Sequence, residues 1–142
     1  MESCPIPAIQ ARYRARQNAH IDPEYQYFTE IVRKSTNNIT PSYALQCWLR
    51  DRNTLRLLLH WERDRNPSFI EDQAEALIAE STRTNTSVTP KKWIERTNAT
   101  GIVSLPGRYG GTYAAPIIAT AFGMWLLPEK FCAVARAYCC KQ

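Results

Sequence analysis

Residues 89–114 read TPKKWIERTNATGIVSLPGRYGGTYA, and the fold turns on them. Thr89-Pro90 is a helix start with a mechanism. The Thr hydroxyl accepts from a free backbone N–H, and Pro at the first helical position gives up only a hydrogen bond that no helix makes there. At about 100° per residue the helix that follows divides cleanly, with Trp93, Ile94 and Thr97 on one face and Lys91, Lys92, Glu95 and Arg96 on the other. Asn98 to Gly101 ends it, and Ile102-Val103-Ser104-Leu105 has the β-branched content of a strand. Pro106 to Gly111 reads as a turn and Thr112-Tyr113-Ala114 as the returning strand. A basic amphipathic helix followed by a Gly-rich hairpin predicts an α+β fold. The layout expected is one small domain, winged helix-turn-helix-like, with several helices and a β-hairpin wing. In such a layout the helix enters a major groove while the hairpin tip meets phosphates or a neighbouring groove. The DNA-facing candidates are therefore Lys91, Lys92 and Arg96 on the helix and Arg108, Tyr109, Gly110 and Gly111 at the tip, where glycine permits close backbone approach and positive φ.

Outward from this unit, Tyr25 to Arg33 predicts a short strand turning into a helix. Thr40-Pro41 repeats the capped start, with Leu45, Trp48 and Leu49 at i, i+3 and i+4. Asn53 or Thr54 offers the next cap. Leu55, Leu58, Leu59 and Glu62 continue the spacing until Asn66-Pro67. A third helix is expected over Glu71 to Glu80 around Ala74, Leu77 and Ile78, then a Thr-rich loop from Ser81 to Ser87. Pro116 to Leu127 and Pro128 to about Cys140 read as two closing helices, the first with Ile117, Ile118, Ala121, Met124 and Trp125 on its apolar side. All four tryptophans sit at apolar helical positions and are expected in the core. The first residues show no apolar period, so residues 1–24 read as an N-terminal arm, with its alternating Arg12, Arg14 and Arg16, and residues 25–142 as the domain.

Charge is unevenly placed. The 142 residues carry 18 Lys and Arg against 13 Asp and Glu, a net of +5. Residues 81–142 hold eight basic and two acidic side chains, whereas residues 22–80 hold seven and ten. An anion-binding face belongs to the later part of the chain. Arg50 and Arg52 are added as phosphate-contact candidates. Five cysteines at irregular spacing, with no secretory pattern at the start, point to a reducing compartment, the cytoplasm. The charge-free run from Tyr109 to Pro128 is broken by Gly and Pro and reads as no membrane span.

Catalytic constellations are not signalled. Ser104 lies in G-x-x-S-x-x-G order and not in the strained G-x-S-x-G elbow. No C-x-x-C or H-E-x-x-H spacing marks a metal, Cys132 and Cys139 reading as helix packing. Glu71, Asp72 and Glu75 are helix-spaced carboxylates that read as a solvated face, a Mg²⁺-dependent nuclease being the rival reading. The expectation is no enzyme, no catalytic residue, no metal and no cofactor.

Read as a string, the chain resembles the KilA-N domain, a module of bacteriophage, bacterial and large-DNA-virus proteins related to the fungal APSES DNA-binding domain. Tyr27 to Arg33, Trp48 to Thr54, Trp61-Glu62, Asn66 to Phe69, Thr89 to Glu95, Gly101 to Ser104, Gly107 to Ala114 and Trp125 to Glu129 carry the likeness in order. The resemblance implies a DNA-binding helix and wing, the same DNA-facing residues, and a phage- or mobile-element-related regulator without catalytic activity, with double-stranded DNA as partner. The alternative is a protein-binding inhibitor or antirepressor module that turns the same basic face on an acidic host regulator or defence protein.

Overall fold

The computed structural model describes residues 6–34, 39–107 and 110–127. Among the described residues seven helices and three short strands follow one another as α1 (Ile6–Asn18), β1 (Gln26–Tyr27), α2 (Phe28–Arg33), α3 (Pro41–Trp48), α4 (Arg52–Arg65), α5 (Glu71–Thr84), α6 (Pro90–Thr97), β2 (Ile102–Leu105), β3 (Gly111–Ala114) and α7 (Pro116–Leu126). The fold is α+β. β3 is the central strand of an antiparallel sheet ordered β1-β3-β2. Ile102 pairs with Ala114 and Leu105 with Gly111 on one side, while Gln26 pairs with Ala114 on the other.

Local chemistry explains most boundaries. Thr40 and Thr89 cap α3 and α6 as expected, accepting from the backbone N–H groups of Tyr43 and Lys92. The α4 cap lies two residues earlier than Asn53, the first cap the sequence suggested: Asp51, not Asn53 or Thr54, accepts from Asn53 N at 2.9 Å. Thr54 is buried inside the helix. The expected Thr-rich loop is also corrected, because α5 runs on to Thr84 before Asn85 ends it in the left-handed region at φ 55°. Its hydroxyls turn inward to the helix backbone. Thr82 Oγ1 donates to Ile78 O and Thr84 Oγ1 to Glu80 O, each at 2.8 Å, so the polar side chains satisfy themselves within the helix.

The core gathers every helix from α2 to α7. Phe28, Trp48 and Phe122 meet in an aromatic cluster with ring centroids 4.7–5.7 Å apart. Leu55, Leu58 and Leu59 of α4 face Ala74, Leu77 and Ile78 of α5, and Trp93 anchors α6. α7 departs from the expected face. Ile118, Ala119, Phe122 and Leu126 are buried, while Ile117 and Trp125 are exposed. That helix is apolar almost all round, so periodicity could not choose its inner face; the aromatic slot between Phe28 and Trp48 chooses Phe122. Trp61 is also only half-buried, its ring under the Arg65 guanidinium.

The stretch without apolar period is helical. α1 docks through its arginines: Arg16 Nη2 donates to the carbonyls of Asp22, Pro23 and Tyr25. One turn apart, Arg12 lies over the Tyr27 ring at 5.3 Å and Arg16 over the Tyr113 ring at 4.9 Å, and those two rings stack on each other. The expected helix from Pro128, with Cys132, Cys139 and Cys140, lies outside the described residues.

Candidate nucleic-acid interface

α6 turns Lys91, Lys92, Glu95 and Arg96 to solvent and buries Trp93 and Thr97. Both ends are fixed from outside. At its start Val88 N donates to Leu49 O at 3.2 Å, and at its end Ile70 N donates to Thr97 O at 2.9 Å. The cations are held as well. Arg96 Nε and Nη2 both donate to Gln73 Oε1, at 2.9 and 2.7 Å, and Lys92 Nζ stands 3.9 Å from Glu80 Oε1. A neutral amide therefore orients Arg96 without cancelling its charge. Lys91 lines a cleft of about 360 Å³ with Ser42 and Gln46 of α3 and with Ser104 and Thr112, the cross-strand pair of the hairpin.

The joint between α6 and the hairpin is a carboxylate clasp. Glu62 of α4, 1% exposed, accepts from Thr100 N, Thr100 Oγ1, Gly101 N at 2.6 Å and Asn66 Nδ2. A side chain at Gly101 would collide with Ile118, Glu62 and Trp61, so the chain passes tightly under the clasp. Tyr25 adds a strut, its hydroxyl donating to Thr100 O at 2.9 Å. Burial pushes that phenol's pKa up, with the Glu62 and Asp22 carboxylates adding to the rise. Sequence spacing had placed Glu62 in line with Leu55, Leu58 and Leu59; its acidic character on a buried face was the available signal.

Gly107 takes φ 98° in open space at the exposed start of the turn. Gly110 is buried and donates its N–H to Gly107 O at 3.1 Å. A Cβ there would overlap the Leu105 and Pro106 carbonyls, and one on Gly111 would enter the Tyr27 ring. Gly110 is thus required by the turn itself and Gly111 by the Tyr27 ring packed against it. Arg108 and Tyr109 lie outside the described residues. Arg50 is exposed beside Leu49, which carries the contact to Val88 just before α6. Arg52 opens α4 and shares a different cleft with Arg56 and Arg83.

Two carboxylates of the acidic helix face are engaged in ion pairs, Arg56 meeting Glu75 at 2.8 Å and Arg63 meeting Glu71, while Asp72 is exposed. The Arg63 hydrogen bond holds the Glu71 carboxyl below its usual range. Among the described residues no helix is long and apolar enough to cross a membrane.

The KilA-N domain model matches residues 23–137. The chain belongs to the KilA-N domain family. These are DNA-binding domains, and the match supports DNA as the partner. It begins after α1, so the docked arginine helix precedes the matched span. No curated protein and no solved structure matches this chain.

Proposed function

We propose that this KilA-N protein is a duplex-DNA-binding regulator of phage or mobile-element type, working without catalysis, with α6 as the groove-facing helix and the 107–112 turn as a wing. Lys91, Lys92 and Arg96 face the duplex from α6. Arg108 and Tyr109 form the wing contact at the turn that Gly110 and Gly111 shape, and Arg50 and Arg52 add phosphate contacts. The observation that carries this reading is the orientation of α6: its cationic face is exposed while the opposite face is pinned by Trp93, Thr97 and the Glu62 clasp to the hairpin. Arg96, steered by Gln73 and still charged, suits a bidentate contact to guanine.

The test is fluorescence anisotropy with a labelled random 30-base-pair duplex at two salt concentrations. Wild-type protein is expected to bind with micromolar affinity that weakens steeply with salt, and the Lys92→Glu, Arg108→Glu double variant to lose binding. No binding by wild type at low salt would reject the reading in favour of a protein partner for the same face.

A further inference from the structure

Two pairs of contacts show which ends of the helices lie together. Arg56 meets Glu75 and Arg63 meets Glu71, so α4 and α5 run antiparallel; Lys92 meets Glu80 and Arg96 meets Gln73, so α5 and α6 do too. The start of α4, the end of α5 and the start of α6 therefore share one end of the molecule, and the Val88–Leu49 hydrogen bond brings the end of α3 to it. That end carries Arg50, Arg52, Arg83, Lys91 and Lys92. The acidic side chains there are already engaged, Asp51 in the α4 cap and Glu80 beside Lys92. On the far side of α5 from α6 lies a cleft of about 310 Å³ lined by Arg52, Arg56, Glu75, Ile78, Thr82 and Arg83. Glu75 pairs with Arg56, which leaves Arg52 and Arg83, both exposed, as the cations facing this cleft.

We propose that the Arg52–Arg83 cleft is a second nucleic-acid contact, a site for backbone phosphates of the duplex that lies on α6. It carries the protein's footprint across the end of α5. The proposal rests on the DNA-binding reading and adds Arg83, which the helix-and-wing unit does not include. Phosphate is the chemistry that fits: two guanidinium groups from different helices offer planar, forked donors, and no aromatic side chain lines the cleft to stack a base.

The salt dependence of binding to a 30-base-pair duplex separates the outcomes. Each neutralised phosphate steepens the log–log salt slope by about 0.9, so Arg52→Gln, Arg83→Gln protein is expected to show a slope shallower by about 1.8. Arg52→Lys, Arg83→Lys protein keeps the wild-type slope, and Lys91→Gln, Lys92→Gln protein loses slope independently. Circular dichroism melting of each variant confirms that the fold is retained. A Gln variant with the wild-type slope overturns the second contact while leaving α6 binding intact. Failure of the wild type to bind any duplex overturns the function and this contact together.

Discussion

Glu62 is a buried carboxylate whose described partners are all neutral donors, and they come from the α6–β2 joint and from Asn66. Hydrogen bonds to a charged group contribute about 1.5–3 kcal/mol each, and a buried donor left unpaired costs about 1–3 kcal/mol. Glu62→Ala orphans the N–H groups of Thr100 and Gly101 together and is expected to cost about 3 kcal/mol. Glu62→Gln, which retains one acceptor oxygen, costs less. Urea titration of both variants measures this, and a loss below about 1 kcal/mol for Ala would mean that the clasp is replaceable by water. Tyr25 gives the same joint a pH signature. Its folded pKa is raised above the ordinary value near 10, so its contribution is whole below that value and is lost as pH climbs through the folded one. Thermal melts between pH 9 and about 11.5 should show Tm falling in wild type and falling less in Tyr25→Phe.

Elements whose ends are set by local chemistry were legible in the sequence. Thr40-Pro41 and Thr89-Pro90 begin helices for reasons internal to four residues, and Ile102 to Ala114 folds back through a glycine turn. Removing the Thr89 hydroxyl is therefore expected to cost about 1 kcal/mol, read as a lower urea midpoint for Thr89→Ala, with the freed Lys92 N–H fraying the start of α6. Elements set by contacts that apolar spacing does not encode, whether side chains bonding back into their own helix or partners far along the chain, were not legible. The last turn of α5 is polar in composition and helical because its hydroxyls bond back to Ile78 and Glu80. The inner face of α7 depends on aromatic rings from α2 and α3. Glu62 looked like one more position on an apolar stripe, because the backbone N–H groups it accepts from lie 38 and 39 residues away. Of the candidate site, the cations on α6 could be read from a helical wheel, whereas Gln73, which aims Arg96, and Arg83 beside Arg52 required the packing of α5.

At the scale of the molecule, the sheet links the N-terminal helix to the hairpin turn. Arg12 sits over Tyr27, Tyr27 stacks on Tyr113 of β3, and the Tyr27 hydroxyl stands 3.4 Å from the Gly110 carbonyl. Arg16 caps the same stack from the Tyr113 side while gathering three carbonyls of the α1–β1 connection. Among the described side chains, Arg12 and Arg16 carry the docking of α1, and its stability is local. Arg16→Ala removes one cation–ring contact, worth about 0.5–2 kcal/mol, and the donors to those carbonyls. Amide hydrogen exchange across residues 6–18 should then quicken by tenfold or more, while the amides of α4 and α5, protected by the main core, keep their wild-type rates. If Tyr27 transmits the docking, exchange at Gly110 and Gly111 rises with that of α1 in this variant. If those two amides stay protected, the hairpin is held by β2 and the Glu62 clasp alone, and α1 is an independent attachment to the sheet.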